Sequence, residues 1–343
     1  MRIAISLVDL PAPTMDEANS EEDFTLSMSP PNLMDSAQVM PNPDAHASLP
    51  AKFSAFAGDI KIAHTVFALP FALLSTFLAS RDVEPNGWPR AGKLLLILVC
   101  MVTARTVAMA VNRLLDARLD ALNPRTARRA IPSGMLSRGF YVVIVAASVG
   151  LFIIATAGFH VFYRNIWPLI FSVPVLTYLA AYPLLKRFTR LCHYYLGGAL
   201  ALVPVCAWVA IRGDIAWPPI WMFAAVLCWT TGFDIIYACQ DYHSDLACGV
   251  FSVPAKLGIG PALWVSRATH GVCAAMLIAL GFSTPHLHSL YFVGVGIAIA
   301  LLIIEQSLVR ADDLSKAGLA FFTINGVISL LLGTLGIIDV LLH

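Results

Sequence analysis

The feature that most constrains this chain is a series of apolar segments, each about as long as a membrane-spanning helix, that recurs from near residue 60 to the end. A helix needs about 20 apolar residues to cross the hydrocarbon core of a bilayer. The segments fall at roughly 60–79, 92–115, 139–158, 165–185, 192–211, 217–240, 260–282, 289–308 and 317–341. None alternates with the period of a strand, and only helices or closed barrels satisfy their backbone groups in lipid. The sequence therefore predicts an all-α polytopic bundle of nine transmembrane helices.

The composition agrees with a protein that resides in the lipid bilayer. Hydrophobic residues make up 58% of the chain and charged residues 13%, whereas about a quarter of the residues in a soluble domain are charged. The net charge of +1 gives no indication of a nucleic-acid partner, and no obligate protein partner is evident. The seven cysteines include no CxxC pair, which argues against a disulfide framework and against a cysteine-based zinc site.

The first 52 residues differ in kind from the rest of the chain. They contain an acidic run, Glu21, Glu22 and Asp23, many prolines and few aliphatic residues after Leu10. Such a segment cannot bury enough apolar surface to offset the entropy of ordering it. We therefore expect a disordered Pro-rich tail over residues 1–52 and a transmembrane domain over residues 53–343. The apolar stretch IAISLV is too short for the core of a signal peptide.

The loops between the predicted spans carry an asymmetric distribution of basic residues. Loops that follow even-numbered spans hold Arg125, Arg128, Arg129, Arg138, Lys186, Arg187, Arg190, Lys256, Arg310 and Lys316. Loops that follow odd-numbered spans hold Arg81, Arg90, Arg164 and Arg212. The positive-inside bias then places the even-numbered loops, the N-terminus and both acidic motifs on the cytoplasmic side. We expect the membrane to be the inner (plasma) membrane of a bacterium.

An acidic motif, NRLLDARLD, lies where the second span ends. Asn112, Asp116 and Asp120 are spaced by four residues, so on a helix they form one stripe. A carboxamide and two carboxylates are hard oxygen ligands that suit Mg²⁺. The arginines after Asn123 and Pro124 suit phosphate recognition, because a guanidinium pairs with two phosphate oxygens at once. A solvated helix end followed by a positive-inside loop is the simpler alternative for this motif taken alone.

A second acidic motif follows at the end of the sixth span. Asp234, Asp241 and Asp245 are spaced by seven and four residues and would again lie on one helical face at the predicted cytoplasmic side. Acids that face each other across a narrow gap repel unless a cation lies between them. Two such clusters at the same membrane face therefore indicate a site for a divalent metal bound with a diphosphate.

Basic residues near both acidic motifs are candidates for holding the anion. In YPLLKRF, Tyr182 and Lys186 are one turn apart, with Arg187 beside them. Lysine at this position could instead extend toward lipid headgroups. The complete cationic rim would comprise Arg125, Arg129, Lys186, Arg187 and Lys256.

Four motifs in order, NRLLDARLD, RTARRAIPSG, YPLLKRFT and DIIYACQDYHSD, resemble those of the UbiA superfamily of intramembrane aromatic prenyltransferases. The resemblance covers nearly all of residues 55–343. More closely, IAHTVFALPFAL, RTVAMAVNRLLDARLDALNPRTARR and EQSLVRADDLSKAGLAFFTINGVIS are similar to the branch called 4-hydroxybenzoate polyprenyltransferase-like. Some members of that branch are linked to the futalosine route to menaquinone, and others to ubiquinone.

The resemblance implies a UbiA-type bundle with a central cavity that opens at the cytoplasmic face, a Mg²⁺ cofactor, a polyprenyl diphosphate donor and an aromatic acid acceptor. The first motif, Asn112, Asp116 and Asp120, and the Asp241 and Asp245 pair of the second would bind metal and diphosphate. By the same resemblance, the diphosphate oxygens would be held by Arg125, Lys186, Arg187 and Lys256. Further candidate substrate-binding residues are Arg129, Tyr182 and Tyr237. Loss of diphosphate leaves an allylic cation that a phenolic ring carbon attacks, and the bundle keeps water out.

Two ionisable residues lie deeper than the metal motifs. Arg105 precedes Asn112 by seven residues and Asp234 precedes Asp241 by seven, so each is about 10 Å further into the bilayer. They could form a buried ion pair, since charges at this depth face a cavity or each other. Alternatively, Arg105 receives the carboxylate of the acceptor and Asp234 orients or deprotonates its phenol. His64 in the first span could bind the acceptor hydroxyl or simply be satisfied by neighbouring backbone.

Three other classes of protein also carry acids in membrane helices. A secondary transporter places its substrate groups near the midplane on broken helices, whereas these motifs cluster at helix ends. A phosphatidyl-type alcohol transferase concentrates its acids in one glycine-containing signature that this sequence lacks. Haem O or chlorophyll synthases share the acidic motifs, and only the finer matches favour a small aromatic acid, 4-hydroxybenzoate or a dihydroxynaphthoate.

Overall fold

The structure is a computed structural model that describes residues 48–60 and 67–343, and every regular element within those ranges is helical. The α-helices are α1 (Leu49–Asp59), α2 (Leu69–Ser80), α3 (Ala91–Leu122), α4 (Arg138–Tyr163), α5 (Trp167–Ala181), α6 (Cys192–Arg212), α7 (Trp217–Ala238), α8 (Tyr242–Ala247), α9 (Val253–Leu257), α10 (Ile259–Ser283), α11 (Ser289–Leu308), α12 (Ala317–Leu319) and α13 (Asn325–Leu342). The predicted all-α polytopic fold is confirmed.

Over the described residues, eight helical segments are long and apolar enough to cross a bilayer. They are Ala91–Leu122, Arg138–Tyr163, Trp167–Arg187, Cys192–Arg212, Trp217–Ala247, Ile259–Ser283, Ser289–Leu308 and Ala317–Leu342. The first predicted span, 60–79, contains α2, which is 12 residues long, and residues 61–66, which lie outside the described ranges. The count of nine spans therefore stays a prediction.

Helix α1 begins earlier than the predicted end of the N-terminal tail. Residues from Leu49 to Lys52, which we assigned to the tail, are helical, and Pro50 occupies the first turn. Proline favours that position because its fixed φ suits a helix start and its missing N–H is not needed there. The rest of the predicted tail, residues 1–47, lies outside the described ranges.

The order in which the long helices pack follows from their pairwise contacts. Helix α7 packs against α6 and α10, α2 packs against α6 and α13, and α11 lies between α10 and α13. Glycines allow two of these close approaches, as small residues do in membrane bundles. A Cβ on Gly197 of α6 would lie 2.6 Å from the Leu227 carbonyl oxygen of α7, and one on Gly232 of α7 would overlap the His270 ring of α10. Helices α3, α4 and α5 pack on one another, and α3 and α5 also contact α6.

Helix α3 is longer than the membrane is thick, and this places the first acidic motif at its end. Its 32 residues span about 48 Å, compared with about 30 Å for the hydrocarbon core. Near this end, α1 packs against α3 and α4 through Phe56 and Ile60. The Asp59 carboxylate accepts hydrogen bonds from Arg113 Nε at 3.1 Å and from the Tyr141 hydroxyl at 2.5 Å. Helix α1 is therefore fixed to the two helices that carry and flank the motif.

The second acidic motif does not lie on one continuous helix, and our expectation of a single helical face is wrong. Helix α7 ends at Ala238, a 3₁₀ turn covers Cys239–Asp241, and α8 begins at Tyr242. The change of geometry sets Asp234 apart from Asp241 and Asp245, because the seven-residue spacing from Asp234 assumed an unbroken α-helix. Asp234 stays within α7, while Asp241 and Asp245 lie beyond its end.

Candidate active site

A polar cavity of about 170 Å³ lies where the ends of α3 and α7 meet. The residues that line it are Asn112, Asp116, Leu119, Asp120, Asn123, Arg125, Thr126, Arg129, Lys186, Asp241, Ser244, Asp245, Cys248 and Val250. The structure thus brings the metal-motif residues predicted from two distant parts of the sequence to one cavity.

The first motif presents its acids from α3 in a buried, fixed arrangement. Asp116 is 1% exposed and Asp120 is 5% exposed. The Asn112 amide nitrogen donates to Asp116 Oδ2 at 3.0 Å, and the Asn112 amide oxygen accepts from Arg113 at 2.9 Å. Arg113 is in turn held by Asp59, so the orientation of Asn112 depends on a chain of bonds that begins in α1.

Asp116 is paired with the basic turn that follows α5. The Lys186 ammonium lies 2.5 Å from Asp116 Oδ2, and an Arg187 guanidinium nitrogen lies 3.7 Å from Oδ1. Both basic residues belong to a short 3₁₀ helix, Tyr182–Arg187, whose second residue is Pro183. The Lys186 carbonyl accepts the Phe251 backbone N–H at 2.7 Å. The turn is therefore fastened to the loop that follows α8.

Asp120 and Asp241 are paired with arginines of the loop after α3. Arg129 lies 2.7 Å from Asp120 Oδ1, and Arg125 contacts both oxygens of Asp241 at 2.8 and 2.5 Å. Asn123 adds a third donor to Asp241 at 2.9 Å. The loop after the first motif thus binds the second motif directly, which explains how the two helix ends converge.

The position of Arg125 also depends on Tyr237, at the end of α7. Arg125 donates to the Tyr237 hydroxyl at 3.0 Å and lies over the Tyr237 ring at 5.0 Å. Burial lowers the pKa of the Arg125 guanidinium, but its hydrogen bonds to Asp241 and the nearby negative charge outweigh burial, so the pKa is raised above its ordinary value. This side chain is a permanent cation at the rim of the cavity.

The acids retain free ligand capacity that fits a hard divalent cation. Among the described residues, Asp116 Oδ1 and Asp120 Oδ2 are buried and accept no hydrogen bond. A buried carboxylate oxygen without a donor is costly, and this cost is removed when the oxygen binds a metal or its water. Together with Asp241 and Asp245 on the facing wall, these residues form an oxygen donor set of the kind that Mg²⁺ prefers.

Asp234 lies apart from this cavity and contacts a residue that we did not predict from the sequence. His193 Nδ1 lies 2.6 Å from Asp234 Oδ2, and His193 Nε2 accepts the Val253 backbone N–H at 3.2 Å. Because Nε2 is an acceptor, the proton lies on Nδ1 and is donated to Asp234. Within the part of the chain that the structure describes, Asp234 accepts a hydrogen bond from His193, and the alternative of an Arg105–Asp234 ion pair is not the arrangement found.

Several predicted substrate-binding residues lie outside the lining of the polar cavity. The Lys256 ammonium lies 3.9 Å from the centre of the Phe251 ring, and Lys256 is not among the lining residues. Tyr182 is the part-buried first residue of the basic turn. Arg105 is part-buried on α3, two turns before Asn112. His64 falls in residues 61–66 and lies outside the described ranges.

Sequence reasoning missed His193, Arg113 and Asp59. Each is an ionisable residue near the end of an apolar segment, which is the signal that could have identified it. Their partners are between 41 and 54 positions away in the chain, so no local motif pairs them.

A second cavity, of about 230 Å³, lies among α3, α4, α5 and α6 and is lined almost entirely by apolar side chains. Its wall on α3 includes Ile97, Met101 and Ala104, and Ala104 is the residue directly before Arg105. Apolar space is therefore available in the half of the bundle that carries the first acidic motif.

Comparison with known proteins identifies relatives of this chain. The UbiA prenyltransferase family matches residues 68–327. The 4-hydroxybenzoate octaprenyltransferase of Marinomonas sp. (strain MWYL1) is 28% identical over 233 residues, which is 67% of this chain and 79% of the relative. The protein of the same name from Edwardsiella ictaluri (strain 93-146) is 29% identical over 247 residues, or 71% of this chain and 82% of the relative.

Solved structures show the same architecture. The apo structure of a UbiA homologue from Aeropyrum pernix K1 has a TM-score of 0.71 and 29% identity, and the match covers 81% of this chain and 98% of that one. A UbiA homologue from Archaeoglobus fulgidus, bound to DMAPP and Mg²⁺, has a TM-score of 0.63 over 83% of this chain and 98% of that one. At 15% identity the second likeness concerns the fold alone. The chain belongs to the UbiA prenyltransferase family and is a multi-pass membrane prenyltransferase.

Proposed function

We propose that this protein transfers a polyprenyl group from polyprenyl diphosphate to a ring carbon of an aromatic acid, in the biosynthesis of a respiratory quinone. The observation that carries the proposal is the shared cavity, where the acids of two motifs lie among basic side chains and two buried carboxylate oxygens lack donors. The relatives named 4-hydroxybenzoate octaprenyltransferase support 4-hydroxybenzoate as the acceptor and a long isoprenoid as the donor. A dihydroxynaphthoate offers the same carboxylate and phenol and is the competing acceptor.

The residues proposed to hold Mg²⁺ are Asp116, Asp120, Asp241 and Asp245, with Asn112 fixing the orientation of Asp116. The Archaeoglobus fulgidus homologue of similar fold is bound to DMAPP and Mg²⁺, which supports Mg²⁺ as the ion. A bound divalent ion would stabilise the negative charge that develops on the departing diphosphate.

The basic residues are proposed to exchange partners when the donor enters. Lys186, Arg129 and Arg125 each neutralise one acid of the cavity in the structure. With a divalent ion held by those acids, the three basic side chains would be available to bind diphosphate oxygens. The bases limit the repulsion among the carboxylates of the cavity, and a bound divalent ion would do so in their place. Transition-state stabilisation comes from these fixed cations.

The acceptor is proposed to bind deeper, between Arg105 and Asp234. The Arg105 guanidinium would receive the carboxylate of the aromatic acid. Asp234 would accept the phenolic proton, and His193 holds its carboxylate in position through the 2.6 Å contact. The apolar cavity among α3, α4, α5 and α6 would accommodate apolar parts of the substrates and exclude water, which would otherwise capture the allylic cation.

The distribution of basic residues supports a cytoplasmic location for the N-terminus and for the polar cavity. The protein would then reside in the plasma membrane of a bacterium and receive its soluble aromatic acid from the cytoplasm. Cysteine-accessibility labelling of a residue in the loop after α3, performed from each side of sealed vesicles, tests this orientation.

The function is tested by incubating membranes that contain the protein with Mg²⁺, radiolabelled polyprenyl diphosphate and a panel of acceptors. We expect label to enter 4-hydroxybenzoate, and we expect EDTA to abolish transfer and added Mg²⁺ to restore it. Transfer to a dihydroxynaphthoate alone would assign the menaquinone branch. Transfer to haem or a chlorophyllide, with none to aromatic acids, would contradict the proposal.

The matched variants separate the site from a general effect of charge. The double substitution Asp116→Asn/Asp241→Asn removes one acid from each wall and should abolish transfer. The double substitution Asp312→Asn/Asp313→Asn removes the same charge from an exposed loop and should leave transfer intact. Undiminished transfer in the first variant would mean that the cavity is not the active site.

A further inference from the structure

A cluster of possible metal ligands lies at the end of the bundle opposite the polar cavity. His288 immediately precedes α11, Asp339 belongs to the last turn of α13, and His343 follows that helix. Helix α10 starts beside the loop that contacts Lys186 and runs 25 residues, about 37 Å, before it reaches this end. One ligand atom from each of His288, Asp339 and His343 lies within 4.8 Å of the others.

The two oxygens of Asp339 have different surroundings. Oδ2 accepts the backbone N–H groups of His288 at 2.6 Å and Tyr291 at 2.9 Å, so it caps the start of α11 from another helix. Oδ1 is buried and, among the described residues, accepts no hydrogen bond. The side chain as a whole is 0% exposed. A wholly buried carboxylate that leaves one oxygen without a donor is costly unless a cation binds there.

The two histidine rings lie next to this carboxylate. His343 Nδ1 lies 3.3 Å from Asp339 Oδ1 and 3.2 Å from the Asp339 backbone carbonyl oxygen, a contact that it would exchange for the ion. The His288 and His343 rings stack with centroids 4.1 Å apart. Two ligands bound to one zinc ion at about 2.0–2.1 Å with tetrahedral angles lie about 3.3 Å apart, which matches the Nδ1 to Oδ1 separation. Both imidazoles are exposed and can turn about their side-chain torsions to converge on the same point.

The composition of the cluster indicates which class of ion it binds. Two imidazoles and one carboxylate form a donor set typical of zinc and other divalent transition metals, whereas Mg²⁺ takes oxygen ligands and water. The cluster therefore differs in chemistry, as well as in position, from the all-oxygen set at the polar cavity. The exposed histidines leave the outer positions of the ion open to water.

We propose that His288, Asp339 and His343 bind a divalent transition-metal ion, with Zn²⁺ as the fitting ion, and that this ion joins the start of α11 to the end of α13. Helix α13 packs against both α2 and α11. A metal at this point restrains the end of α13 by coordinate bonds in addition to packing. The site is structural and takes no part in prenyl transfer.

The test uses the full-length protein in detergent, purified without a polyhistidine tag, stripped with a chelator and held in excess Mg²⁺. Isothermal titration with Zn²⁺ measures the number of sites and their affinity, and Co²⁺ provides a visible absorption band for a histidine-ligated site. The variants are His288→Ala and His343→Ala, which leave the capping carboxylate of Asp339 in place. The matched control is His286→Ala, since His286 is in the same loop as His288 but binds Asp82 at 2.8 Å.

We expect the unmodified protein and His286→Ala each to bind one Zn²⁺ ion. We expect His288→Ala and His343→Ala to bind no Zn²⁺, or to bind it at least about tenfold more weakly. Zn²⁺ should raise the unfolding temperature of the first two proteins and leave that of His288→Ala unchanged. The proposal is overturned if no Zn²⁺ binds to the unmodified protein. It is equally overturned if His288→Ala and His343→Ala still bind one Zn²⁺ ion with unchanged affinity, or if the control His286→Ala no longer binds it.

Discussion

The buried carboxylate of Asp59 gives the sharpest test of how the first acidic motif is positioned. Asp59 and Arg113 are 6% and 4% exposed, and Nε of Arg113 lies 3.1 Å from the carboxylate. Asp59 also accepts from the Tyr141 hydroxyl and from the Ala130 backbone N–H at 3.0 Å. The substitution Asp59→Asn keeps the shape and one acceptor oxygen but leaves the buried guanidinium without a counter-charge.

The expected cost follows from that burial. Removing one partner of a buried ion pair costs about 3–5 kcal/mol, a large share of the roughly 5–15 kcal/mol by which a folded domain is stable. At about 2 °C per kcal/mol for a chain of this size, the unfolding midpoint should fall by about 6–10 °C. The control is Asp82→Asn, because Asp82 also holds two partners, Arg212 at 3.2 Å and His286 at 2.8 Å, but is 53% exposed. Its loss should cost no more than about 1 kcal/mol.

Thermal unfolding in detergent, followed by intrinsic fluorescence, measures both variants side by side. The double variant Asp59→Asn/Arg113→Met removes the unpaired charge and should recover most of the lost midpoint. Prenyl transfer should nevertheless be low in the double variant, because the methionine cannot make the 2.9 Å contact by which Arg113 orients Asn112. Equal midpoints for Asp59→Asn and Asp82→Asn would refute the reasoning, as would full transfer activity in the double variant.

Three further predictions concern substrate binding and proton transfer. In a steady-state assay, Arg125→Ala should raise the KM for polyprenyl diphosphate at least about tenfold, because it removes a cation that lines the cavity. The control Lys256→Ala removes the same charge outside the lining and should change this KM less than about twofold. Arg105→Ala should raise the KM of the aromatic acid far more than that of the donor, and equal rises or loss of folded protein would count against its role in acceptor binding. His193→Phe should lower kcat and leave the KM of the donor unchanged, because it removes the hydrogen bond to Asp234. His193→Asn should retain part of the activity, because its amide can still donate to Asp234. Indistinguishable kcat values for the two variants would exclude the positioning role.

Much of the fold and part of the candidate site could be predicted from the sequence, because both depend on local patterns. Hydropathy over about 20 residues identifies membrane helices without any knowledge of their partners. The four-residue spacing of Asn112, Asp116 and Asp120 places them on one face of α3, and the structure keeps them on one continuous helix. The same reasoning failed for Asp234, Asp241 and Asp245, because periodicity alone does not reveal the turn at Cys239–Asp241 that interrupts the helix.

The rest of the site depends on residues that are far apart in the chain. The pairing of Arg125 with Asp241 joins positions separated by 116 residues, and that of Lys186 with Asp116 joins positions separated by 70. Which base neutralises which acid is decided by how α3, α5 and α7 end and by the directions that their loops take. Lys256 illustrates the difference, since its charge and position in the sequence suited the cationic rim, yet its ammonium lies over the Phe251 ring.

The sequence by itself determined that this chain is a helical membrane protein with two acidic motifs and basic loops at the same ends of its spans, because hydrophobicity and helical periodicity act over one or a few turns. Only the tertiary structure decided that Asp234 binds His193, that Asp59 and Arg113 fix Asn112, and that His288 and His343 meet at Asp339. Those contacts arise where separate helices end beside one another. The packing of whole helices sets their geometry, and no window of neighbouring residues encodes it.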